Sequence, residues 1–69
     1  MTFKVLRKTA GMDQVQLAEK LGVSNTAVSM WETGAAFPRV PTLYRLSELL
    51  GVPMDEVVRA IEASRKGEG

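Results

Sequence analysis

Apolar residues recur along this chain at helical spacing in five short runs, each closed by a glycine or opened by a proline, and no stretch alternates with the period of two that a half-buried strand needs. The pattern predicts an all-α domain. Phe3, Leu6, Arg7 and Ala10 stand at i, i+3, i+4 and i+7, with Thr2 placed to cap the start and Gly11 to end the helix in a left-handed conformation. One member of that stripe is an arginine. Asp13 is the next N-cap, with Gln16 as its capping-box partner, and Gln14, Leu17, Ala18 and Leu21 form the second stripe up to Gly22. Ser24 caps a third helix of about eight or nine residues that ends near Gly34. After the loop GAAFPRV, Pro41 suits a first helical position, and Leu43, Leu46 and Leu50 line a fourth helix that stops at Gly51. Pro53 opens the fifth, with Asp55 and Glu56 in the first turn, where the helix dipole favours anions, and Met54, Val57, Val58 and Ile61 as its apolar stripe. The folded domain is expected over residues 1–63, with 64–69 as a solvated, flexible tail.

The spacing within the second and third runs is specific. Two helices joined by three or four residues containing Gly cross at a steep angle and form the unit that places its second helix in a major groove. Counted from Gln14 as the first position, Ala18 is fifth, Gly22 ninth, Val28 fifteenth and Trp31 eighteenth. Ala18 lets the helices approach, Gly22 takes a backbone angle that a Cβ opposes, and Val28 and Trp31 pin the second helix from inside. The stretches QVQLAEKLGVSNTAVSMWETG and PTLYRLSELLGVPMDEV together resemble the lambda-repressor-like helix-turn-helix family, the phage repressor and Cro type also called XRE, over about residues 3–58. The resemblance implies a compact five-helix DNA-binding domain with the helix-turn-helix at helices 2 and 3. It also implies binding to double-stranded DNA, usually as a homodimer on a near-palindromic operator, and a role in transcription regulation, here read as repression.

A helical wheel orients the third helix. At about 100° per residue, Ala27, Val28 and Trp31 share one side with Glu32 beside them, and Thr26, Ser29, Met30 and Thr33 occupy the other. The outward side is uncharged, whereas an ordinary surface helix carries Lys and Glu there. Glu32 points inward and Arg7 sits on the first helix's apolar stripe, and each is costly to bury alone, so the two are expected to form a structural ion pair. The matching positions of the family imply the same pair.

Not one Lys or Arg lies between Gly22 and Gly34, so reading and gripping DNA must be divided between regions. Asn25, Thr26, Ser29 and Met30 are the base-reading candidates: Asn25 suits a bidentate pair with adenine, Thr26 and Ser29 a base or phosphate, and Met30 a thymine methyl. With no arginine there to read guanine, A·T-containing steps are the expected preference. Gln14, Ser24, Ala27, Thr33 and Arg39 are the phosphate candidates, Gln14 because it opens a helix whose N-terminus attracts anions, and Arg39 because relatives use that position. Lys8 and Lys20 act at longer range or are simply solvated. Grip by one subunit is expected to be weak, and a second subunit to supply the remainder. Val40, Tyr44, Leu49, Val52 and Ile61 are apolar residues left over for that seam, each also readable as core.

Composition narrows the alternatives. Among 69 residues there is no Cys and no His, which removes disulfides, thiolate nucleophiles, imidazole bases and the usual zinc sites, and fits a reducing cytoplasm. No apolar run approaches the roughly 20 residues of a membrane span. No carboxylate spacing stands out from capping and surface patterns, so no catalytic residue, metal, cofactor or small-molecule ligand is expected. Net charge is +1, yet residues 1–45 carry six basic against three acidic side chains and residues 46–69 three against five, a mildly positive front and acidic back. The competing reading is a helix-turn-helix protein-interaction module, an adaptor or toxin-neutralising partner, to which a neutral outward face is equally suited.

Overall fold

A computed structural model describes residues 1–66 as five helices: α1 (Phe3–Thr9), α2 (Gln14–Leu21), α3 (Asn25–Thr33), α4 (Val40–Leu50) and α5 (Met54–Arg65). Among the described residues there is no strand. Each start is set by local chemistry. The Thr2 side chain accepts from the Val5 N–H, Asp13 and Gln16 exchange both bonds of a capping box, and Ser24 Oγ accepts from the Ala27 N–H. α4 begins at Val40, so Pro41 occupies the second helical position rather than the first; its missing N–H has no intrahelical partner to lose at either place.

α5 organises the packing, lying against α1, α3 and α4, while α2 is held between α3 and α4. Phe3, Leu17, Val28, Leu46, Val57 and Ile61 are fully buried, so every helix contributes at least one side chain to a single core. Phe3 meets Trp31 edge to face, ring centroids 6.0 Å apart at 85°, which joins the first helix to the third. With a Cα radius of gyration of 10.3 Å, the interior is one layer of such contacts deep. Among the described residues no buried side-chain nitrogen or oxygen lacks a partner.

The expected tail begins too early. Ser64 and Arg65 belong to α5, and Ser64 is buried: its Oγ accepts from the Phe3 N–H at 3.1 Å and donates to the Ala60 carbonyl at 2.9 Å. A first-turn amide of α1, which no intrahelical carbonyl can satisfy, is thereby answered from the end of α5. Residues 67–69 of the expected tail lie outside the described residues.

Candidate nucleic-acid interface

The turn between α2 and α3 is three residues long and defined by Gly22, whose φ of 71° is left-handed. The Val23 N–H closes the helix end by donating to the Ala18 carbonyl at 3.0 Å, and Val23 packs against the core. Ser24 then starts α3 at once. This short connection presents the N-terminal turn of α3 outward. Val28 and Trp31 are buried and Ala27 is half-buried, Thr26, Ser29, Met30 and Thr33 are exposed on the opposite side, and Asn25 is exposed at the first position of the helix, on the flank that also carries Glu32. The structure therefore leaves all four base-reading candidates exposed, Thr26, Ser29 and Met30 on one uncharged face and Asn25 at its N-terminal edge.

Behind that face, three helices meet at one carboxylate. Arg7 Nε donates to Glu32 Oε2 at 2.5 Å and Gln14 Nε2 donates to Glu32 Oε1 at 3.0 Å, while Arg7 Nη1 donates to the Met12 carbonyl at 2.8 Å. The Arg7 and Glu32 side chains are 7% and 8% exposed, so desolvation is nearly complete and only this full set of partners makes the charges tolerable. One consequence concerns Gln14. Its amide nitrogen is committed to Glu32, and the Asp13 carboxylate already stands at the start of α2, so an anion there would be held by backbone N–H groups beside a negative charge.

The remaining phosphate candidates are scattered around α3. Ser24 and the Ala27 N–H bond to each other, and Thr33 Oγ1 donates to the Met30 carbonyl. Arg39 is the exposed N-cap residue of α4, at the end of the loop that leaves α3. In that loop the Ala35 and Ala36 N–H groups donate to the Met30 carbonyl at 2.9 and 3.4 Å, and Pro38 is buried. Of the seam candidates, Val40 and Tyr44 share one face of α4 and are each 61% exposed, and Leu49 and Val52 are half-buried against the core. Ile61 is a correction. It is fully buried between helices and offers no surface to a second subunit.

Two supporting residues were not anticipated. Arg45 donates from α4 to the Lys20 and Leu21 carbonyls at 2.7 and 3.3 Å, closing the C-terminal end of α2 next to the turn. Its place on α4, beside Leu46, was a faint signal. Ser64 was more legible, since Val57, Ile61 and Ser64 continue the fifth stripe at i, i+4 and i+7.

A helix-turn-helix family model matches residues 3–57, from the first residue of α1 to the first turn of α5. The chain belongs to the lambda-repressor-like helix-turn-helix family. Within that family it is 40% identical over 57 residues to the HTH-type transcriptional activator BcrR of Enterococcus faecalis, covering 83% of the chain and 28% of that protein. It is 37% identical over 65 residues to the HTH-type transcriptional regulator ImmR of Bacillus subtilis, covering 94% of the chain and 51% of ImmR. The cryptic phage CTXphi transcriptional repressor RstR of Vibrio cholerae is 29% identical over 51 residues, covering 74% of the chain and 46% of RstR. The chain thus spans about half or less of the length of these relatives. No solved structure gives a significant match. None of the described helices is long and apolar enough to cross a membrane.

Proposed function

We propose that this chain is a sequence-specific reader of double-stranded DNA that regulates transcription, with α3 lying in the major groove. The observation that carries the reading is the exposed, uncharged face of Thr26, Ser29 and Met30, with Asn25 at its N-terminal edge, presented by the Gly22 turn of a lambda-repressor-like helix-turn-helix domain. Side chains at the start of such a helix reach base edges, and amide, hydroxyl and methyl groups suit them. Asn25 pairs with adenine, Thr26 and Ser29 read a base or phosphate, and Met30 packs on a thymine methyl. Arg39 is the main phosphate contact and fixes the register, while Thr33, Ser24 and Ala27 give up their present internal hydrogen bonds to add to it and the start of α2 at Gln14 offers only backbone N–H groups.

One copy carries few cations on this face, so the chain acts as a homodimer on a near-palindromic operator. Val40 and Tyr44 are its seam, with Leu49 and Val52 at the margin. Similar proteins are named both activator and repressor. Repression requires only that the operator be occupied, whereas activation requires a further surface for the transcription machinery, and the repressor reading is therefore the simpler one.

Selection of bound sequences from a random duplex pool, repeated at two salt concentrations, tests the proposal. A DNA reader returns a two-fold-related motif with half-sites about 34–36 Å apart and loses affinity steeply with salt. Absence of duplex binding at low salt would establish the protein-interaction module instead.

A further inference from the structure

We propose that Arg65, at the end of α5, is a positioning residue for DNA binding: it clamps the loop that carries Arg39 without touching DNA itself. The inference rests on the DNA-reading function proposed above. Three observations place the clamp. Gly34 caps α3 with a φ of 74°, and α5 crosses so closely over it that a Cβ added at Gly34 would lie 2.5 Å from the Arg65 Cα and 2.6 Å from its Cβ. Beyond that notch, the Arg65 guanidinium lies over the Phe37 ring, 5.8 Å from its centroid. Between these two contacts the Ala35 and Ala36 N–H groups both hang on the single Met30 carbonyl.

The loop is thus tied to α3 at its start, covered by Arg65 in its middle, and released as α4 at Arg39. Phe37 is 40% exposed, and its outward ring gains its cover from the cation. A phosphate contact made by Arg39 is worth most when the loop is already in place, because ordering it on binding subtracts from affinity. Arg65 removes that cost in advance. The planar guanidinium on a ring and the alkyl stem on a glycine notch are both needed, and an ammonium at the same place retains the charge with a poorer stack.

The test uses the full chain and a duplex obtained from the random pool. Arg65→Ala should weaken binding about two- to fivefold, the range an exposed cation–π contact supports. In an Arg39→Ala background the same change should have no further effect, and Phe37→Leu should behave as Arg65→Ala does in both backgrounds. Amide exchange of the free protein should quicken at Ala35 and Ala36 in Arg65→Ala and stay unchanged in α2, with Arg65→Lys restoring part of the protection. An equal loss in both backgrounds, with the salt slope reduced by about 0.9 per bound copy, would make Arg65 a phosphate contact and overturn the clamp. Unchanged affinity and exchange would overturn it as well. If the unmodified chain binds no duplex, the proposed function fails together with this role, whereas intact binding insensitive to Arg65 removes this role alone.

Discussion

At Glu32 a single carboxylate satisfies donors from two other helices, which makes it the residue whose loss should be felt most. Glu32→Ala leaves the Arg7 guanidinium nearly dry with only the Met12 carbonyl, so we expect a loss of about 3–5 kcal/mol in a urea melt. A loss below about 1 kcal/mol would mean that Arg7 escapes to water. Asn25 offers the opposite case: it is exposed on α3, so Asn25→Ala should leave the melt unchanged and relax preference at one base pair by about 1–3 kcal/mol in a selection experiment. Glycines separate two further effects. Gly22→Ala meets no atom within 4 Å and pays only for the left-handed backbone, about 1–2 kcal/mol. Gly34→Ala adds a collision with α5, roughly 1–3 kcal/mol more. Equal melts for the two variants would show that α5 yields without cost.

Among elements, the relation of α4 to α2 shows a cation beside the helix-turn-helix turned to the protein's own backbone. Arg45 points at the Lys20 and Leu21 carbonyls, where the negative end of the α2 dipole and two unpaired acceptors favour it. Arg45→Met should lower stability by about 1 kcal/mol and leave the salt dependence of duplex binding as it was. Arg39→Ala should do the reverse, reducing the slope of log affinity against log salt by about 0.9 per bound copy with little change in the melt. This division marks the limit of what the sequence displays. The five elements are legible because caps and stripes are local: Asp13 with Gln16, Ser24, and the terminal glycines each act within one turn. The Arg7–Glu32 pair is legible because two charges on apolar stripes leave few partners. Arg45, Arg65 and the second bond to Gln14 depend on how helices cross, and crossing angles are set by packing across 18 or more residues of chain. Ile61 misled for the same reason, since periodicity gives a helix its inward side but not how completely its neighbours cover it.

For the whole molecule, size and seam must agree with the geometry of DNA. The Cα extents are 26 × 23 × 23 Å. Helices packed at the usual interaxial distance leave about 4–5 Å between backbone surfaces, so two copies touching side by side have centres about 27–31 Å apart. Half-sites one turn apart need reading helices about 34–36 Å apart. In the proposed dimer each α3 therefore has to sit a few ångströms outward of its protomer's centre, with the proposed seam on the inner side. Val40 and Tyr44 are each 61% exposed, so replacing them tests the proposed seam without disturbing the core. Tyr44→Glu should weaken binding to a full operator at least about tenfold, since a buried unpaired carboxylate in the seam costs more than about 1.4 kcal/mol. Binding to a duplex with one half-site should be unaffected, and circular dichroism should show the same melt. Ile61→Glu, by contrast, should abolish folding and binding together. Sedimentation of the Tyr44→Glu protein on the full operator decides the matter: one copy per duplex in place of two establishes the seam, and two copies bound as before place it elsewhere on the surface.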